Sequence, residues 1–388
     1  MTDILAVDAM MESAKAQTGA TGFTDLEFLP ALTSLVDSLN EEGRLNALGV
    51  SLQRDRLTEL LKTRLRLESW LERFPEILDE ELSPPIVILS LPRTGTTMLQ
   101  RLLSADRRFL PVHWYEVRFP IPDLDWDFCH DTDARIPTAK AEVAALIDAN
   151  PELLSIHPLD AMAPDEDLLL LETTFLSSVP GSQAHIPSYN KFYENDDALS
   201  ATRYHRKLLQ FLQWQRRRSG ESVDGRPWLL KSPAHMYTIE AMRTVYPGAR
   251  FLTSHRDPLA CMPSISSFYL NQWVVYSDNV DPRECGRTTS RFFSAALERA
   301  HAASVSDPAS FLDFEYEDLI NRQDVVLAAI YEFLNWPLTE EAKHGIAQYR
   351  ATNPRNRRKP HDYSLEQFGL TETGIRDNFS AYFDRRGY

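Results

Sequence analysis

The chain has 388 residues, 43% apolar and 25% charged, a soluble globular composition that allows one large α/β domain or two average ones. A formal net charge of −15 argues against a nucleic-acid-binding surface and against attachment to anionic lipid by bulk charge. The three cysteines, Cys129, Cys261 and Cys285, are too few and too widely spaced for a disulfide framework or a zinc site, and they fit a reducing cytoplasm.

Met1 to Gly19 carries Asp3 and Asp8 where a secretory leader would be basic, and no apolar run is long enough for a transmembrane anchor. From Asp25 to Glu81, Leu32, Leu35, Val36 and Leu39, then Leu57, Leu60, Leu61, Leu65 and Leu67, recur at helical spacing. The interleaved Arg54, Arg56, Arg64 and Arg66 are expected on a solvated face. Residues 1–84 thus form a helical N-terminal region. Two roles stay open for it, a lid over a cleft or a surface for a second subunit, and the oligomeric state stays open with them.

Ile86 to Leu89, entered through Pro84-Pro85, predicts a buried parallel strand, and Met98, Leu99, Leu102 and Leu103 predict a helix after it. The loop between them, Pro92-Arg93-Thr94-Gly95-Thr96-Thr97, is cationic, contains glycine and is rich in hydroxyls. Free N–H groups at the helix N-terminus, the Arg93 guanidinium and the Thr96 and Thr97 hydroxyls would converge on one spot, which suits a phosphate. A nucleotide triphosphatase would carry G-x-x-x-x-G-K-[ST], and no lysine follows Gly95.

Pro111 to Pro122 is dense in aromatics and proline and is expected to be irregular; Trp114, Tyr115 and Phe119 serve there either as a cleft wall or as core packing. A helical insertion follows between Pro137 and Arg218, clearest over Ala139 to Ala149 and Ala201 to Arg217. Within it Pro164 to Glu172 predicts a helix with an acidic first turn, Asp165-Glu166-Asp167. Phe175, Tyr189, Phe192 and Tyr193 are expected in loops able to cradle a hydrophobic ligand.

Strands resume at Pro227 to Leu230, Ala249 to Thr253 and Ser310 to Phe314, alternating with helices such as Met236 to Val245 and Arg291 to Ala303. That alternation predicts a parallel sheet covered on both faces, with ligands at its carboxyl ends. Lys231 and His235 follow one such end. Arg256 follows another, and Ser264 comes eight residues later, so an arginine and a hydroxyl can share a second phosphate. Phe314 to Leu319 begins a helix after a strand, and Asn353 to His361 is a basic loop in an acidic chain.

Pro92 to Thr97 resembles the 5′-phosphosulfate loop of the sulfotransferases that use PAPS (3′-phosphoadenosine 5′-phosphosulfate), and Arg256 with Ser264 resembles their 3′-phosphate motif. Trp228 to His235, Asn46 to Gly49 and His361 to Leu370 resemble the bacterial, actinobacterial-type branch with a long helical N-terminal region, and the likeness runs from about Gly22 to the end. The resemblance implies an α/β fold of P-loop type, with residues 85–388 as the PAPS-binding core. It implies that Arg93, Thr94, Gly95, Thr96, Thr97, Arg256 and Ser264 hold the donor. Arg358 and Lys359 belong to a basic loop that closes over the 3′-phosphate in relatives, here without its glycine-rich form. The implied acceptor is a hydrophobic alcohol, a lipid or a hydroxylated isoprenoid quinone, with transient membrane contact.

Transfer to a hydroxyl puts negative charge on the departing phosphate, which calls for fixed cations: Arg93 at the loop, and Lys231 bridging to the sulfuryl oxygens. No metal is expected, since a single phosphomonoester leaves already clamped by protein charge, and PAP (3′-phosphoadenosine 5′-phosphate) is the product. Two residues are candidates for the base. Familiar members carry Lys-Thr-His, and here Pro233 stands in the histidine's place with His235 nearby; some bacterial relatives use a glutamate after the first helix, where Glu116 stands. A P-loop kinase or triphosphatase, or a nucleotide-binding protein without turnover, are the alternative functions.

Overall fold

Among the described residues five short strands, all parallel, form one sheet: β1 (Ile86–Leu89), β2 (Leu110–Pro111), β3 (Trp228–Lys231), β4 (Arg250–His255) and β5 (Phe311–Glu315), in the order β2-β3-β1-β4-β5. The computed structural model describes residues 5–129, 132–149, 159–353 and 364–388. Leaving β1 the chain moves to the β2 side, and leaving β4 it moves to β5 on the other side. The carboxyl ends of the neighbours β1 and β4 therefore flank a crevice of the kind in which open parallel sheets bind ligands.

All four residues of β1 are buried, because helices cover both faces. Side chains alternate between those faces with the pleat. Val87 and Leu89 join Leu230 and Phe251 in one apolar cluster, while Ile86 and Ile88 join Leu229 and Leu252 in another. The second cluster is closed by Leu99 and Leu102 of helix Thr96–Leu103 and by Leu327 and Ile330 of helix Gln323–Phe333. The first also contains Leu32 and Leu35 of helix Leu29–Glu41, and Leu61, Leu65 and Trp70 of helix Ala47–Arg73. The N-terminal helices thus pack into the apolar cluster that covers the sheet.

Helix Ala47–Arg73 is capped by Asn46, whose Oδ1 accepts from Gly49 N at 2.7 Å and whose Nδ2 donates to Asp278. Gly49 is needed there: a Cβ would lie 2.2 Å from the Tyr276 carbonyl oxygen. The expectation of a solvated arginine face on this helix fails for Arg64, which is 1% exposed. Its guanidinium lies between the Phe28 and Tyr204 rings, 4.2 and 3.9 Å from their centroids, donates to Thr173 O and meets Asp25. Arg56 is also engaged, in an ion pair with Glu172.

Three further expectations change. Residues 114–118 are not irregular but helical, Trp114–Arg118, with His113 and Glu116 forming a reciprocal cap at the start. The acidic triplet at 165–167 precedes its helix, which runs only over Leu168–Glu172. Tyr189 and Tyr193 lie buried on helix Pro187–Asn195 rather than in a loop, Phe192 packs partly buried against the same core, and buried Phe175 packs on Phe28. Packing won over ligand contact at these aromatics because Tyr189 has an internal partner, its hydroxyl donating to Phe175 O at 2.7 Å.

Glu116 is fully buried and paired with Arg216, whose Nε and Nη2 donate to its two oxygens at 2.9 and 2.5 Å, while His113 N donates to Oε2. Burial alone would raise this carboxyl, but the Arg216 charge and the His113 hydrogen bond outweigh it and hold the group well below the usual carboxylate range. A carboxyl depressed by folding stabilises the protein above its unfolded pKa, near 4.3, and that contribution is lost as pH falls. Glu116→Gln should therefore cost about 3–5 kcal/mol at pH 7, because Arg216 stays buried without its counter-charge. The gap between parent and variant should narrow between about pH 5 and pH 3, as denaturant melts at several pH values would show.

Candidate active site

The register places the loops. Ile88 is level with Lys231 and Leu89 with Thr253, so the residues just past the strand ends lie side by side. Ser90 Oγ donates to Ser254 O at 2.6 Å and accepts from Ser254 N at 2.8 Å. Ser254 Oγ donates to Thr94 O at 2.8 Å, Thr94 Oγ1 to Leu91 O at 2.7 Å, and Arg256 Nη1 to Arg93 O at 2.7 Å. The stretches bearing Arg93 and Arg256 are thus in direct contact. The Arg256 guanidinium also lies 4.2 Å from the centroid of the Tyr316 ring.

Arg93 and Gly95 both have left-handed backbones, with φ of 74° and 79°. Gly95 has little room for a side chain, since a Cβ would come within 3.0 Å of Leu319 and 3.4 Å of Tyr316. Helix Thr96–Leu103 starts from Gly95 with no side-chain cap and no acidic residue in its first turn. Its first N–H groups have no intrahelical partner, which leaves an anion-binding end beside the Thr96 and Thr97 hydroxyls.

Lys231 ends β3 with its side chain 1% exposed. Its Nζ donates to Thr97 Oγ1 at 3.3 Å and to Glu166 Oε1 at 2.6 Å, the latter on a side chain 24% exposed. Glu166 is held by its backbone neighbours: Asp165 N donates to Val112 O at 3.0 Å, and Gln100 Nε2, from the loop helix, donates to Asp165 O at 2.8 Å. Glu166 was expected to be a helix first-turn acid. The signal against that reading is the run of four leucines at 168–171, too apolar for a solvated helix, beside which an acid needs a cationic partner.

Neither candidate base faces an opening. His235 is 0% exposed: Nε2 lies 2.7 Å from Asp167 Oδ2, and Nδ1 faces Thr238 Oγ1 at 3.3 Å. Glu116 has both oxygens committed to Arg216 and His113, as described above. A base must reach the acceptor proton, and in this structure both residues instead hold their polar atoms against protein partners. Ser264 is half-buried in the second turn of helix Pro258–Tyr276, next to Pro263. Arg358 and Lys359 lie outside the described residues. Among the described residues no group of three or more His, Cys, Asp or Glu side chains could hold a metal, and no helix is long and apolar enough to cross a membrane.

Comparison with known proteins agrees with this fold. The chain is 24% identical over 318 residues to the omega-hydroxy-beta-dihydromenaquinone-9 sulfotransferase Stf3 of Mycobacterium bovis, covering 79% of this chain and 75% of that one. The crystal structure of sulfotransferase STF1 from Mycobacterium tuberculosis H37Rv superposes with a TM-score of 0.84 at 27% identity, over 98% of this chain and 100% of that one. Sulfotransferase STF9 from Mycobacterium avium gives 0.87 at 25% identity, over 99% and 97%. The profile described as "Sulfotransferase family" matches residues 84–340, well over half of the chain and including both phosphate-type loops, Lys231 and Glu166. The chain belongs to the sulfotransferase family.

Proposed function

We propose that this sulfotransferase moves the sulfuryl group of PAPS to the hydroxyl of a hydrophobic, lipid-like alcohol. The observation that carries the reading is the position of Lys231, whose ammonium links Thr97 of the anion loop to the Glu166 carboxylate. A cation and a carboxylate thus stand together beside a loop whose make-up suits a phosphate.

The residues present fit the donor. The uncapped helix N-terminus with Thr96, Thr97 and Arg93 suits the 5′-phosphate, and Thr94 and Gly95 shape that loop. Arg256, in contact with the same loop, and Ser264 are assigned to the 3′-phosphate. When bound, PAPS supplies a sulfuryl group on a phosphate leaving group. Lys231 meets the charge that grows on the oxygen being released, and Glu166 accepts the proton of the acceptor hydroxyl. One S–O bond forms to the acceptor, the S–O bond to the 5′-phosphate breaks with its electron pair, and PAP departs. The acceptor class is taken from the Stf3 relative, whose name gives a hydroxylated menaquinone.

Sulfur-labelled PAPS offered with a lipid extract and, separately, with a polar metabolite extract tests both halves. Label in the lipid products is expected. Label only in polar products overturns the acceptor class, and no transfer together with ATP binding as tightly as PAP overturns the donor. Glu166→Gln should lower turnover by about two to four orders of magnitude with PAP affinity within roughly threefold of the parent. Arg256→Ala should reduce the preference for PAP over AMP by about tenfold to a hundredfold, the effect of one charge-assisted hydrogen bond. An unchanged preference would remove Arg256 from the 3′-phosphate site.

A further inference from the structure

Next to the Glu166–Lys231 pair lies a buried cluster that the transfer step does not use. Asp167, His205 and His235 are each 0% exposed. Asp167 Oδ1 accepts from Lys231 N at 2.9 Å; Oδ2 lies 2.7 Å from His235 Nε2 and 3.2 Å from His205 Nε2. Beyond the rings, His205 Nδ1 faces Tyr246 Oη at 2.8 Å and His235 Nδ1 faces Thr238 Oγ1 at 3.3 Å.

The sheet explains why a carboxylate is needed here. β2 is two residues long and pairs Leu110 with Trp228 and Pro111 with Leu229, so β3 runs past the end of its outer neighbour. The Lys231 N–H would then face a buried space with no strand to accept it, and an orphaned buried donor is costly. Asp167 supplies the missing acceptor. A buried carboxylate needs partners in turn. With hydrogen on Nε2, His235 points a donor at Asp167 and leaves Nδ1 to accept from the Thr238 hydroxyl, while His205 brings its Nε2 to 3.2 Å from the same carboxylate oxygen without hydrogen-bond geometry and turns its Nδ1 to the Tyr246 hydroxyl. Burial would raise the Asp167 carboxyl, but the adjoining histidines more than offset this and hold it below the usual carboxylate range.

Resting on the reading of Glu166 and Lys231 given above, we infer that Asp167 is the positioning residue for that pair and that His235 and His205 act through it. Asp167 follows Glu166 directly in the chain and is bonded to the backbone of Lys231, so one carboxylate fixes both partners. The histidines, from helices His235–Val245 and Leu199–Arg218, fix the carboxylate against two further elements. His235 therefore serves the reaction without touching the acceptor.

Paired substitutions test this. Asp167→Ala removes the acceptor for Lys231 N, whereas Asp167→Asn keeps an oxygen at that position. His235→Ala removes a donor to Asp167, whereas the amide of His235→Gln can replace it. The alanine variants should lose at least about tenfold in kcat, with acceptor KM and PAP Kd within roughly threefold of the parent, and Asn and Gln should restore most of the loss. The inference is overturned if folded alanine variants keep kcat within about threefold of the parent, or if the conservative variants fall as far as alanine. Should the alanine chains not fold, His235→Gln decides alone. Turnover within about tenfold of the parent supports positioning, and a loss of a hundredfold or more shows that the imidazole itself is required. Glu166→Gln and Lys231→Ala belong in the same series. If those two keep full turnover, the reading of the pair fails; if they lose it while the Asp167 and His235 pairs show no split, only the positioning inference fails.

Discussion

A loop that offers its N–H groups to an anion cannot also use them to hold itself in place. Residues 92–97 meet this constraint through their carbonyls. Arg256 holds the carbonyl of Arg93, Ser254 that of Thr94, and Thr94 ties back to Leu91, so the anchors fall on oxygen and leave the start of helix Thr96–Leu103 open. Arg93 and Gly95 take left-handed turns, a backbone form in which successive N–H groups can make an anion-binding concavity. β4 supplies Ser254, and the chain just past its end supplies Arg256, both beyond the β1 register, which is why the site depends on the sheet and not on the loop alone.

The sheet was legible in the sequence because its signals are local. Short aliphatic runs at 86–89, 228–231 and 250–255 can be buried on both sides only as parallel strands under helices, and the loops at their ends followed from glycine, hydroxyl and arginine content. β2 was not legible, since two residues carry no period. Arg64 and the acids at 165–167 were misread for a common reason: a charged residue in a helical pattern is solvated unless the fold brings it a partner, and the partners come from far along the chain. Arg64 owes its burial to Phe28 and Tyr204, and Glu166 owes its place to Lys231, which is 65 residues away.

The base shows the same limit. His235 follows a strand end and Glu116 stands where some bacterial relatives carry a glutamate, and imidazole and carboxylate are both groups that can serve as a base. What the sequence does not display is direction. Glu116 turns into Arg216 and His235 into Asp167, each completing a buried pair, while Glu166, which comes between them in the chain, keeps a partly open side chain beside Lys231. For an acidic chain with a formal net charge of −15, several of its charges are committed internally to arginine and histidine rather than shown to solvent.

One of those pairs has an effect outside the site. β2 is the edge of the sheet, and an uncovered edge ordinarily invites another chain to add a strand. Pro111 has no N–H to offer an incoming strand, and its carbonyl is already taken by Arg216 Nη2 at 2.6 Å. The guanidinium that neutralises Glu116 therefore also caps the edge carbonyl, and with both residues of β2 buried the edge is closed to an added strand.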